Sequence, residues 1–406
     1  MPSLVEPPES LFTPKVQSKL YVSREKASRD FRSDVVTVPI EEMMTAILEA
    51  SVNDDIYDPE GDPSVKALEA RLVEMTGMEA ALWAISGTQG NQICLRTHLT
   101  QPPHSVLLDH RAHVHCWESG ALPVISQASA TTIHAKNGVH LTLEDIKKNI
   151  IADGNSTLSL PHYISNRKLT IAVHFPPTRV VSLENTLSGT ILPLADAQAI
   201  SNYVRSFPVP EGQKPIAVHL DGARVFDGVI GEGVDLKAYA ACFDSISICL
   251  AKGIGAPMGS VILGKKPFIE RAKWFRKMLG GGTRQPGMMA AAALAALEYS
   301  IPRFPSVHKM TKEAATRLEA AGYKFVLPVQ TNMILPDIEA AGIPPAAFVE
   351  YCAKEEIAVF PMARLVFHHQ TSEAAVDSLV KALTRLMEDK KNGVALNNGE
   401  AHGGYS

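Results

Sequence analysis

Several features are missing from this 406-residue sequence, and each absence removes a class of function. No apolar run reaches the roughly 20 residues that a bilayer-spanning helix needs, so no membrane partner is expected. No long basic run occurs and the net charge is −4, which argues against nucleic acid or an anionic membrane as partner. Cysteine is scarce, with five scattered residues (Cys94, Cys116, Cys242, Cys249 and Cys352). No pair has metal-ligand spacing and no metal is expected. Most lie in apolar segments and read as reduced core residues of a cytoplasmic protein. The start, "MPSLVEPPESLF", lacks the basic and apolar regions of a signal peptide. No internal repeat is present. The turn "SGTQGN" is not a G-x-G-x-x-G, so a nucleotide-binding dehydrogenase is disfavoured.

What is there suits a globular chain, with 46% hydrophobic and 20% charged residues. From about residue 40 to 300, helical and strand-like segments alternate. "SVKALEARLVEMTG" predicts a helix capped by its serine, with Glu69 and Arg71 on the polar side, stopping at Gly77. "EAALWAIS", "SVLLD", "TRVVSLE", "IAVHLD" and "SISICLA" are short and apolar throughout, as in strands buried on both faces of a parallel sheet. The expectation is an α/β fold with a large, doubly wound, mostly parallel sheet. A helix and then a long surface loop are expected between Leu141 and Arg179. After "SIPRF" the elements become smaller, predicting a second, α+β unit. The expected divisions are an N-terminal arm, partly disordered, over 1–30; a large domain over 31–299; a small domain over 300–390; and a disordered tail over 391–406.

Ligands of doubly wound sheets gather beyond the carboxyl ends of the strands. Four stretches fall there. In "AISGTQGN", Ser86, Gly87 and Thr88 lie between a strand and a helix, where backbone N–H groups and a hydroxyl can cradle phosphate. In "IAVHLDGARVF", Asp221 ends a strand; it can serve a ligand or cap the next helix. In "SISICLAKGIGAPMGS", Lys252 is the only charge, set between an apolar strand and a run of small residues. A surface lysine in a turn is one reading. The other is a desolvated lysine able to attack carbonyls. In "RKMLGGGTRQPG", Arg284 follows three glycines and suits a bidentate hold on phosphate or carboxylate. One lysine, one carboxylate and one phosphate turn together match the needs of pyridoxal 5′-phosphate: a Schiff base, a partner for the pyridine nitrogen and an anion site.

The motifs "RSDVVT", "SGTQGNQ", "RAHVHCWESG", "RVVSLENT", "HLDGAR", "CLAKGIGAPMGS" and "RKMLGGGTRQ" occur in that order. In this the chain resembles the threonine aldolase family of fold-type-I pyridoxal-phosphate enzymes, within the aromatic amino-acid β-eliminating lyase group. Its loop details resemble fungal members. The resemblance runs from Phe31 to Gln370. It implies an aspartate-aminotransferase-like fold and a homodimer or homotetramer with active sites at subunit interfaces. It also implies a small amino-acid substrate, a β-hydroxy-α-amino acid such as L-threonine or L-allo-threonine, cleaved to glycine and an aldehyde. Lys252 would carry the cofactor, Asp221 would face its ring nitrogen and His113 would stack on its ring. Ser86, Gly87, Thr88 and Arg284 would hold the phosphate, Arg284 across a subunit interface. Arg224 would lie against cofactor and substrate, and Ser33, Arg224 and Arg364 would bind the substrate carboxylate. Glu118 and His174 match polar positions near the reacting side chain, and His113 and His174 are the candidate bases.

Two stretches depart from the family pattern. Leu187 in "ENTLSG" stands where many bacterial members have histidine. The loop Tyr57–Ser64, "YDPEGDPS", is two residues longer than the usual one and is expected near the substrate. Both bear on the reaction catalysed, because some fungal relatives on this scaffold resemble alanine racemases serving peptide biosynthesis.

Overall fold

The computed structural model describes residues 14–152 and 174–400. The surface loop expected before Arg179 lies mostly outside these residues, as do residues 1–13 of the N-terminal arm, ahead of the helix Pro14–Ser28, and the last six residues of the tail.

Seven strands form one sheet. They are β1 (Ala80–Ala84), β2 (Ser105–Asp109), β3 (Ser129–Ile133), β4 (Thr178–Glu184), β5 (Ala217–Asp221), β6 (Ser245–Cys249) and β7 (Ser260–Gly264), in the order β1-β7-β6-β5-β4-β2-β3. The strands from β3 to β6 pair in parallel, whereas β7 runs antiparallel to both neighbours. Strands β2, β5, β6 and β7 are buried along their whole length, which is why their sequences are apolar rather than alternating. Edge strand β3, "SATTI", is mostly exposed and gives no such signal.

The helix Gly87–His98 lies against this sheet with nearly every residue from Gln89 to Thr97 buried. Gly90 makes that approach possible. A Cβ there would collide with Ser247 Oγ and sit 2.8 Å from Ser260 Oγ.

Two local expectations change. The helix Pro63–Thr76 is capped by Asp62, whose Oδ1 accepts the N–H groups of Ser64 and Val65 at 2.8 and 3.2 Å. Pro63 fills the first helical position, so the cap falls two residues earlier than the serine suggests. Glu69 turns inward, accepting the Trp83 N–H at 2.8 Å. Burial pushes its carboxyl up to about 7 against that bond. Gly77 does end this helix, in the left-handed conformation. All five cysteines are free, but Cys116 is exposed rather than in the core.

A second cluster of buried residues gathers Val307, Leu318, Phe348, Leu365, Phe367, Leu379 and Leu383 around the short antiparallel pair β8 (Met333–Ile334) and β9 (Leu365–Val366). Phe31, from the far end of the chain, belongs to it: its ring meets Phe367 edge-on at 5.0 Å. Its backbone bonds to Ala358 and Val366. No helix among the described residues is long and apolar enough to cross a membrane.

Gly90→Ala should therefore lower stability by about 1–3 kcal/mol through overpacking. It should also weaken cofactor retention, because it lifts the helix that begins at Ser86. Denaturant titration and cofactor absorbance after dialysis read the two effects; a variant with unchanged midpoint and retention would refute the role given to this contact.

Candidate active site

Parallel register sets three strand ends side by side. Glu184 pairs with Asp221, and Asp221 with Ser247. Lys252 follows β6 by three residues, in a bend closed by the Gly255 N–H on the Lys252 carbonyl at 2.7 Å. Gly255 adopts φ 81° there, a conformation glycine tolerates best.

Ser86 caps the helix Gly87–His98, its hydroxyl accepting the Gln89 N–H at 3.2 Å. The first-turn N–H groups of Gly87 and Thr88 have no intrahelical acceptor, and they carry the positive end of the helix dipole. One small cavity is lined by Gly87, Thr88, Asn91, His113, Asp221, Ala223, Ser247, Cys249 and Lys252. Phosphate turn, carboxylate, imidazole and lysine thus meet around a single space.

The carboxylates there are held by donors. Asn91 gives Nδ2 protons to Glu118 Oε1 at 2.9 Å and to Asp221 Oδ2 at 2.8 Å. Its Oδ1 lies 3.4 Å from His219 Nε2. Burial pushes the His219 imidazole down to about 4, so it is neutral. Gln92 donates to Glu118 Oε2 at 2.6 Å. Asp221 Oδ1 accepts the Ala223 N–H at 3.1 Å. It closes that turn and does not cap the next helix, whose cap position is Arg224.

His113 is fixed at both ends. Its backbone N–H bonds to Glu184 Oε2 at 2.8 Å, and its Nδ1 lies 3.0 Å from Glu118 Oε1. An ionised carboxylate only accepts, so Nδ1 is the donor to Glu118, and in the neutral imidazole that tautomer leaves the lone pair on Nε2.

The expected carboxylate-binding residues meet at the segment Phe31–Asp34. Arg224 grips Asp34 with two bonds of 2.7 and 2.6 Å. Burial alone would raise the Asp34 carboxyl, but Arg224, Lys252 and His368 hold it below the usual range. Ser33 Oγ lies 3.4 Å from Asp34 Oδ1, and Arg364 Nη2 lies 3.4 Å from the Arg32 carbonyl. Arg224 therefore spends two of its three guanidinium nitrogens on Asp34. That restricts the part expected for it on a substrate.

Ser33, Ser86, Glu118, Arg224 and Arg364 do not line the cavity, and three more expected features stand apart from it. Arg284 lies half-exposed over Tyr57, with its guanidinium 2.7 Å from Asp54. His174 is exposed in a bend and is absent from the lining. The loop Tyr57–Ser64 packs with its neighbours toward the triple-glycine segment: the Asp55 N–H bonds to the Arg284 carbonyl, and Asp55 pairs with Arg276 at 3.0 Å. Leu187 is buried in a turn closed by reciprocal bonds with Thr190. Asn91, Gln92, Glu184 and His219 were not singled out as site residues from the sequence. Their one sequence signal is polarity inside otherwise apolar buried segments.

A lysine at a strand end, a buried aspartate, an imidazole and a phosphate-binding turn around one cavity fit pyridoxal phosphate. With this sheet they define a fold-type-I pyridoxal-phosphate enzyme. The chain belongs to the Beta-eliminating lyase family, whose sequence profile matches residues 30–341. It is 39% identical over 368 residues to a low-specificity L-threonine aldolase of Eremothecium gossypii, covering 90% of each chain. It is 32% identical over 359 residues to an alanine racemase of Cochliobolus carbonum, covering 86% of this chain and 85% of the other. Among solved structures, a Leishmania major threonine aldolase superposes with a TM-score of 0.63 at 18% identity, over 90% of this chain and 99% of that one.

Asp34→Ala should cost about 3–5 kcal/mol, because it strands the buried Arg224 charge. Adding Arg224→Met should return much of that loss. Equal midpoints for the single and double variants in urea would contradict this account.

Proposed function

We propose that the protein cleaves a β-hydroxy-α-amino acid, L-threonine or L-allo-threonine, into glycine and an aldehyde. The observation that carries this reading is the single cavity shared by Lys252, Asp221, His113 and the Gly87–Thr88 turn, in a chain 39% identical to a threonine aldolase. Lys252 Nζ would hold the cofactor's aldehyde carbon, Asp221 its ring nitrogen and the turn after Ser86 its phosphate. Bound there, pyridoxal phosphate supplies a sink for the electron pair released at the substrate's α-carbon.

The chain's own residues decide which bond is lost. Ser33 and Arg364 orient the substrate carboxylate, with Arg224 held at their side by Asp34. His113, its Nδ1 hydrogen on Glu118, presents Nε2 as the base that removes the β-hydroxyl proton. Removal of that proton drives Cα–Cβ cleavage. His174 stays a second candidate base, on a segment next to residues outside those described.

Racemisation of alanine is the alternative reading. It is favoured by the racemase relative and by Leu187, whose bulk in place of a histidine would reshape the space for a β-substituent.

The proposed division is a large domain over 31–299 and a small one over 300–390. The proposed assembly is a homodimer or homotetramer in the cytoplasm, with Arg284 reaching a neighbouring subunit's phosphate site. The half-exposed guanidinium of Arg284 and the exposed rings of Tyr57, Trp117 and Trp274 support such an interface.

Incubation with L-threonine should give glycine and acetaldehyde far faster than L-alanine gives D-alanine on a chiral column. Fast racemisation with threonine left intact would reverse the assignment. Borohydride should fix the cofactor to the peptide bearing Lys252, and Lys252→Ala should abolish both labelling and turnover. Arg364→Lys should raise KM while sparing the cofactor spectrum, since lysine cannot form paired bonds to a carboxylate. Unchanged saturation in that variant would remove Arg364 from the substrate site.

A further inference from the structure

Glu184 touches the residues assigned to the cofactor without yet having a task. It ends β4 in register with Asp221 on β5, and its Oε2 accepts the His113 N–H at 2.8 Å. The groups that face it come from every side: Asp221 from β5, Arg224 from the turn after it, Lys252 from the bend after β6, and His113 and Cys116 from the short helix after β2.

Two carboxylates at adjacent strand ends do not both ionise cheaply. Asp221 has two donors, the Asn91 amide and the Ala223 N–H, and so is well placed to carry charge. Glu184 is partly buried at the end of its strand. Burial and the Asp221 charge push its carboxyl above the usual carboxylate range. The His113 N–H, Lys252 and Arg224 pull the other way and do not cancel this.

We propose that Glu184 works as a neutral carboxylic acid, a positioning residue whose carbonyl oxygen holds His113 in place while its retained proton keeps a second negative charge away from Asp221. This rests on the assignment of Asp221 and His113 to the cofactor. It adds a division of labour between two neighbouring acids: one stays ionised for the ring nitrogen, and the other stays protonated to fix the imidazole.

Two variants of the full-length holoenzyme separate the proton from the hydrogen bond. Glu184→Gln keeps an acceptor for the His113 N–H and cannot ionise. Glu184→Ala keeps neither. Because the folded-state ionisation of Glu184 lies above its unfolded value, wild type should lose stability relative to the glutamine variant as pH rises from about 5 to about 8. That difference should vanish at the acid end. Wild-type kcat should bend as Glu184 ionises on the alkaline side, and the glutamine profile should lack that bend. The alanine variant should have a kcat at least about tenfold below the glutamine variant, because a buried N–H has lost its acceptor. Identical pH dependence of the unfolding midpoint in wild type and Glu184→Gln would overturn the proposal, as would equal kcat in the two variants. Failure of the cofactor assignment would appear separately, as borohydride labelling on a lysine other than Lys252.

Discussion

One side-chain amide, that of Asn91, ties the site together. Its two protons go to carboxylates from different parts of the chain, Glu118 and Asp221. Its oxygen faces His219, on the same strand as Asp221. A buried carboxylate without donors is costly, and Asn91 relieves two at once. The amide can do so only if the helix Gly87–His98 lies close on the sheet, which the missing side chain at Gly90 permits. The same helix presents the Gly87–Thr88 turn. The Gly87–Thr88 turn, Asp221 and His113 are thus set by one helix against one sheet.

That arrangement separates charges of like sign by giving each its own partners. Asp34 belongs to Arg224, Glu118 to Asn91, Gln92 and His113, and Asp221 to Asn91 and the Ala223 N–H. Lys252 lines the cavity beside Asp221 and His113, and the fixed donors limit how far the acidic groups move.

Legibility in the sequence followed strand ends. Lys252, Asp221 and the Ser86 turn stood out because each follows a short apolar run, and parallel strands place such positions along one edge. β7 escaped notice as a separate strand because "SVILG" continues from the glycine-rich segment after Lys252, and β3 because its exposed residues lack an apolar run. Asn91 and Glu184 gave no local sign beyond being polar in largely buried segments. Asn91 reads as an ordinary residue of a helix; its partners lie 27 and 130 positions away. Glu184 reads as the end of a strand, and only register reveals Asp221 beside it. The placement of Arg284 depends on Asp54 and Tyr57, a pairing no spacing rule would suggest. The inward turn of Glu69 likewise depends on the unpaired N–H of Trp83 on a neighbouring edge strand.

The proposed carboxylate-binding set draws on both ends of the chain, since Ser33 directly follows Arg32, whose carbonyl bonds to Arg364 332 positions away. Phe31 completes its packing only against residues near position 360. During synthesis, then, the Phe31 segment leaves the ribosome long before the partners that give it a place. It must wait, with its apolar ring uncovered, while the whole sheet is made. Contacts of such long range are slow to form, and chains in this condition rely on chaperones or on rapid completion. On the proposed assignment, the ability to grip a substrate is consequently among the last properties the nascent protein acquires, and a chain interrupted before Arg364 would hold the residues around Lys252 without those proposed to orient what binds there.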